Sequence, residues 1–210
     1  MISLSEILHT IAQALMIPCL IILIILMAGA VWQIGDIVVE YIAERRKHKC
    51  NVPQLLRDVH AAGVDGLAEL IENSGLLRRQ KKALLELAES RGLPKDTLTA
   101  LAERLLATEE ARNARTTSVT DMIAKLGPMF GLLGTLIPLG PGIVALGQGD
   151  TVTLSESMNV AFDTTIAGVI SAAVASVISH IRKRWYNDDM VSLETLMEAV
   201  LEEVTSDVEG

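Results

Sequence analysis

Few side chains in this 210-residue sequence could do chemistry, and they are hydroxyls and one carboxylate set among glycines. Thr135 closes the string Gly131-Leu132-Leu133-Gly134-Thr135. Thr164 and Thr165 follow Asp163 in Ala161-Phe162-Asp163-Thr164-Thr165-Ile166-Ala167-Gly168. A hydroxyl donates one hydrogen bond and accepts others, so it can hold water, whereas an intramembrane carboxylate is costly and by default functional. The bland alternative for each hydroxyl is a bond back to a carbonyl of its own helix. Nothing in the sequence reads as catalytic. It contains no Gly-rich loop followed by Lys-Ser/Thr, no His-Glu-x-x-His and no nucleophile elbow. Four scattered histidines and two cysteines, Cys19 and Cys50, offer neither metal-ligand spacing nor a disulfide framework. The reading is therefore a non-enzyme with no catalytic residue, no metal and no cofactor.

The elements that must position these groups follow from where charge is missing. Half the residues are hydrophobic, only 3 % are aromatic, and the mean hydropathy is +0.40. That aliphatic mixture suits helices packed in lipid. Residues 11–35 and 126–149 contain no Asp, Glu, Lys or Arg, and residues 157–181 contain only Asp163. About 20 apolar residues cross a hydrocarbon core of about 30 Å, so three spans are predicted. A cleavable leader is the alternative for the first, but its apolar run is too long and no Lys or Arg precedes it. The net charge of −8 argues against a nucleic-acid partner. All 18 Lys and Arg lie between Asp36 and Lys125 or at Arg182-Lys183-Arg184. The positive-inside rule then puts the N-terminus outside and both the long insert and the C-terminus in the cytoplasm of a cell (plasma or inner) membrane.

The insert reads as helical throughout. Short helices are expected at residues 53–60 and 64–72, divided by Gly63, and an amphipathic one follows, ended by Gly92 and Pro94. Its run Arg78-Arg79-Gln80-Lys81-Lys82 reads as a solvated face or a contact for anionic lipid. Leu98, Leu101, Ala102, Leu105 and Leu106 then mark a long helix, capped by Asp96 or Thr97, that continues unbroken into the second span. The first span is bulky on every side and reads as lipid-facing. Gly127, Gly131 and Gly134 share one face of the second, spacing that lets a neighbouring helix backbone approach closely. Ala161, Thr165, Gly168, Ala172, Ser176 and Ser179 form a small face on the third, opposite Ile166, Ile170, Val174, Val177 and Ile181. Pro138-Leu139-Gly140-Pro141-Gly142 should kink or end the second helix, and Thr153 with Glu156 resembles a capping box for the third. Asp163 projects toward Ile170 and Val174, as an outer-vestibule group or an interfacial anchor.

These motifs and the three-span layout resemble the MotA/TolQ/ExbB proton-channel family, most specifically over residues 127–173. The resemblance implies a homo-oligomer, a pentameric ring in well-described members, enclosing a single-span partner of the ExbD/TolR/MotB type that carries an intramembrane Asp. It places Thr135 and Thr165, with the adjoining Thr164 and Asp163, on a proton path, and it implies ion flow coupled to mechanical work or transport. Gly127, Gly131, Gly134, Gly168 and Ala172 are the expected helix-packing residues. The alternative is a non-conducting oligomeric scaffold in the bilayer. The fold class is all-α: an integral membrane protein with three transmembrane helices and a helical cytoplasmic insert, its long helix continuous with the second span. The expected parts are 1–35 (outer N-terminus and first span), 36–121 (cytoplasmic insert), 122–149 (second span and outer turn), 150–184 (third span) and 185–210 (acidic cytoplasmic tail). This topology predicts that a membrane-impermeant thiol reagent labels neither cysteine in intact cells and Cys50 alone after permeabilisation. Labelling of Cys50 from outside would reverse the orientation.

Overall fold

The computed structural model describes residues 4–45 and 51–209, and among these every regular element is helical. Helix α1 spans Leu4–Ala14 and α2 Met16–Glu40, the latter running into a π-helical turn at Tyr41–Arg45. Helices α3 (Val52–Asn73) and α4 (Arg78–Glu89) follow, then two long helices, α5 (Lys95–Gly147) and α6 (Thr151–Glu209). Three stretches are long and apolar enough to cross a membrane: Glu6–Ala43, Lys95–Gly147 and Thr151–Ser206. The chain is an all-helical membrane protein. The basic residues Arg46 and Lys47 and the thiol of Cys50, on which the orientation argument leans, lie outside the described residues.

The helices form two compact units. The first comprises Met1–Ile37 and Thr117–Ile181. Within it α2 is not uniformly lipid-facing. Cys19, Leu23, Leu26, Ala30 and Gln33 are buried at alternating steps of four and three, one stripe of a helix, while Ile17, Ile21, Ile24 and Trp32 are exposed. Leu26 and Ala30 pack with Ile123 of α5 and Ala175 of α6, and the Cys19 thiol donates to the Phe130 carbonyl at 3.4 Å. Leu and Ile are equally apolar on every side, so composition alone hid which side meets protein.

Two expectations about helix ends are adjusted here. Of the kink or end expected at Pro138-Leu139-Gly140-Pro141-Gly142, the end does not occur: helix α5 passes Pro138 and Pro141, as it passes Pro128, and ends at Gly147. Each proline removes one donor from the ladder, and neighbouring turns retain theirs. The cap of α6 is Asp150 rather than the Thr153/Glu156 pair. Its Oδ1 accepts the backbone N–H groups of Val152 and Thr153, each at 3.1 Å, and its Oδ2 accepts the Thr153 hydroxyl at 2.6 Å. These bonds, the Thr153 hydroxyl first, hold the Asp150 carboxyl below the ordinary carboxylate range. Gly149, at a φ of 76°, supplies the left-handed step that the turn requires.

The second unit comprises Val38–Thr116 and Arg182–Gly210. Gly63, at φ 62° and ψ −179°, breaks α3 into two helical pieces, where the sequence expected the division. The first turn of α5 is closed by the Pro94 carbonyl, which accepts from the N–H groups of Thr97 and Leu98. Asp96 and Thr97 are thus inside the helix rather than capping it. Asp96, in the first turn, favours the helix dipole. Gln80, in the middle of the basic run, is buried: its Nε2 donates to the Asp189 carbonyl at 3.0 Å and its Oε1 accepts the Leu77 N–H at 3.2 Å. Arg182, counted above only as a cytoplasmic charge, is 1 % exposed, with its Nε 3.1 Å from Oε2 of Glu40. Tyr41 stacks on Trp185 beside this pair, ring centroids 6.1 Å apart.

Residues 185–210, an acidic tail by composition, continue α6 as a helix to Glu209. Leu193, Leu196, Met197, Val200 and Val204 fall on one face of it. They share a core with Leu55, Val59, Leu67 and Ile71 of α3, Leu84 and Leu87 of α4, and Leu98 of α5. Acidic residues occupy the solvent face of the same helix, which is why composition masked its packing. Leu196 is 1 % exposed, so Leu196→Ala is expected to destabilise this unit by about 2–5 kcal/mol. The exposed Glu194→Ala should stay within about 0.5 kcal/mol. Thermal unfolding of the two variants in mild detergent, followed by far-UV circular dichroism, compares them.

Candidate functional site

Only a short turn joins α5 to α6, so the two helices return antiparallel in the first unit. Their contact is set by residues without bulk. A Cβ placed on Gly127 would lie 2.7 Å from the Gly168 carbonyl oxygen and 3.1 Å from the Ala172 Cβ. One placed on Gly168 would lie 2.5 Å from the Gly127 carbonyl oxygen. No side chain fits such gaps, so the backbones touch. Gly134 closes on the Thr164 side chain, at 2.6 Å for the same construction, and Gly142 closes on Ser157 at 3.1 Å. Gly131 is looser, at 3.4 Å from the Gly168 Cα. The glycine face of the second span thus packs within the chain against the small face of the third. A short connection makes the following helix the nearest available partner, and the matching small residues lie there.

The threonines sit on and beside this seam. Thr164 is 5 % exposed and its hydroxyl donates to the carbonyls of Val160 and Ala161, both at 2.9 Å. It is a packing residue within the chain, closed off from any groove alongside. Thr135 and Thr165 are each one residue on from the facing pair Gly134 and Thr164, and both are half-buried. In an antiparallel pair, one step of about 100° on each helix turns both side chains toward the same flank of the seam. The Thr135 hydroxyl donates to the Leu132 carbonyl at 2.7 Å and that of Thr165 to the Ala161 carbonyl at 3.0 Å. Their donors are committed to their own helices, and what they present to the flank is acceptor lone pairs.

Asp163 does not join them. Two residues along a helix turn about 200°, so Asp163 leaves α6 on nearly the opposite side from Thr165, and it is exposed beside Ile166 and Ile170. Ser176, placed on the small face by sequence, is also exposed, while Ser171 and Ala175 occupy the buried seam. The true buried face is rotated by part of a turn from the projected one. Sequence reading missed Gly142, whose neighbouring prolines marked it as a breaker. It also missed a hydrogen bond from the Ser179 hydroxyl to Oδ1 of Asp121 at the far end of the seam. The signal was present: Asp121 and Ser179 are each 14 positions from Thr135 and Thr165, in opposite chain directions. Among the described residues no group of three or more His, Cys, Asp or Glu could hold a metal ion.

The seam distances separate the glycines by tolerance. Gly127→Ala, Gly134→Ala and Gly168→Ala should each lower stability and disturb α5–α6 packing, since something other than a flexible side-chain tip must move. Gly131→Ala, at ordinary van der Waals spacing, should be nearly neutral. Thermal melting of detergent-solubilised variants ranks them, and a Gly131→Ala loss equal to that of Gly168→Ala would contradict the geometry.

Three features now stand together: two small-faced apolar helices packed backbone to backbone, paired threonines on one flank, and a second compact helical unit with its own core. No curated protein matches the chain. The model of the MotA/TolQ/ExbB proton channel family matches residues 69–195, which is more than half of the chain and includes all of α5 and most of α6. The chain belongs to the MotA/TolQ/ExbB proton channel family.

Proposed function

We propose that this chain is the channel-forming subunit of a proton-conducting membrane complex that couples ion flow to mechanical work or transport through a single-span partner. The observation that carries this reading is the placement of Thr135 and Thr165 on one flank of the α5–α6 seam, half-buried, with hydroxyl lone pairs turned outward from their own helices. Such acceptors hold water against an otherwise apolar wall. A partner helix bearing a carboxylate, as family membership suggests, would receive protons there. A homo-oligomeric ring would enclose that helix and supply the walls that one chain lacks. The exposed aliphatic residues of α2, among them Ile17, Ile21 and Ile24, suit its lipid-facing perimeter. The Lys and Arg distribution supports an N-terminus outside the cell membrane, with residues 36–121 and 185–210 on the cytoplasmic side. Asp163, on the other side of α6, is assigned to the outer boundary rather than to the path.

Valine matches threonine in shape and cannot hydrogen-bond. The Thr135→Val, Thr165→Val double variant is therefore expected to fold and assemble yet lose proton conductance in liposomes containing the complex with its co-purified partner. Asp163→Asn should leave conductance largely intact. Normal flux in the assembled double variant would remove the conducting mechanism and put the scaffold reading ahead.

A further inference from the structure

The flank that carries Thr135 and Thr165 does not end with them. Fourteen residues back along α5 lies Asp121, and fourteen residues on along α6 lies Ser179. Fourteen residues are close to four full turns, so each returns to within about 40° of the threonine on its helix, about 21 Å along the axis. Because the helices are antiparallel, the two displacements run the same way. They bring Asp121 and Ser179 level with each other, as the Ser179 Oγ to Asp121 Oδ1 hydrogen bond requires. Ser176, three residues before Ser179, is exposed and falls within about 20° of Thr165 around α6. The flank therefore has a hydroxyl pair at one end and a hydrogen-bonded carboxylate at the other, separated by most of a hydrocarbon core of about 30 Å.

A second observation sits on the same turn. Thr120 is fully buried, and its Oγ1 has no hydrogen-bond partner among the described residues. Helical threonines ordinarily bond back to their own carbonyls, as Thr116 does at 3.2 Å to the Arg112 carbonyl. A buried hydroxyl left unpaired is unfavourable, and a water held between it and the Ser179–Asp121 pair would satisfy it. The end of the flank remote from the threonines thus carries a hydrogen-bonded carboxylate and, at the next position on α5, a buried unpaired hydroxyl.

We infer that Asp121, with Ser179 and Thr120, is a proton-accepting site at the inner end of the conduction path, where protons are exchanged between the membrane and the cytoplasm. This rests on the channel reading given above. A proton delivered by water along the flank bonds to a carboxylate oxygen of Asp121, giving the neutral acid. Its loss to cytoplasmic water restores the carboxylate, and only O–H bonds form and break. Ser179 donates a hydrogen bond to that carboxylate and so fixes its position. The other titratable groups at this end of the unit are Lys125, one turn further along α5 and exposed; His180, exposed on α6; and Asp36, exposed near the end of α2.

The test uses the full complex, with its co-purified partner, in liposomes under an imposed pH gradient, together with infrared difference spectra of the same samples across a pH titration. Asp121→Asn keeps an acceptor for Ser179 and cannot be protonated at physiological pH. It should lower proton flux by about tenfold or more and remove one titrating carboxyl C=O band, with assembly unchanged. Asp121→Glu should restore both. Thr120→Val should shift that band and reduce flux without affecting assembly. Wild-type flux in an assembled Asp121→Asn complex that conducts through Thr135 and Thr165 would overturn the inner site and leave the channel standing. Absence of flux in the wild-type complex would instead overturn the channel reading on which the site depends. A higher melting temperature in Thr120→Val, with flux and band unchanged, would remove Thr120 from the site as a merely unpaired hydroxyl.

Discussion

Everything in the membrane unit depends on how closely the backbones of α5 and α6 approach at Gly127 and Gly168. In lipid, no hydrophobic gain drives two apolar helices together, so association rests on packing contacts and the few polar links available. A Cβ on either glycine would meet a carbonyl oxygen at 2.7 or 2.5 Å, which means that the contact exists only without side chains. Once it forms, the register along both helices is set. Gly134 meets Thr164, Gly142 meets Ser157, and Asp121 accepts from Ser179. The residues that flank the seam, Thr135 and Thr165 among them, owe their common side to that register.

The second unit is held by different physics. Its core of Leu, Val and Met from α3, α4, α5 and the end of α6 is one continuous apolar cluster, and burial of such surface from water is worth about 25 cal/mol per Å². Polar ties add direction to this packing. Gln80 bridges α4 to the Asp189 carbonyl, and the Arg182–Glu40 pair joins the end of α2 to α6. Breaking a buried ion pair of this sort strands a charge away from water, which makes its two residues hard to replace singly.

How far the sequence could be read follows from these two regimes. Charge-free runs announce spans because a bilayer punishes charge at any position, so the three apolar stretches and their order were visible. Gly63 and Gly92 were legible as breaks, and the unbroken helix into the second span followed from the absence of Gly and Pro. Uniformly apolar segments carry no orientation signal, so the packing stripe of α2 and the rotation of α6 that buries Thr164 beside Gly134 were not readable. The apolar face of the α6 end lay beneath an acidic composition. Its spacing from Leu193 to Val204 would have disclosed it had the segment been treated as a helix rather than as a tail. The Asp121–Ser179 bond joins residues 58 positions apart, and only the antiparallel return of α6 brings them together.

The three prolines of α5 have a mechanical consequence. Pro128, Pro138 and Pro141 all lie in its second half, whereas residues 95–126 contain neither proline nor glycine. A proline offers no N–H to the carbonyl four residues earlier, so the carbonyls of Ala124, Gly134 and Ile137 lack their usual ladder partner. Bending stiffness therefore falls along the helix. Local flexure of this element is expected around the prolines and glycines of its second half rather than in the half that has neither.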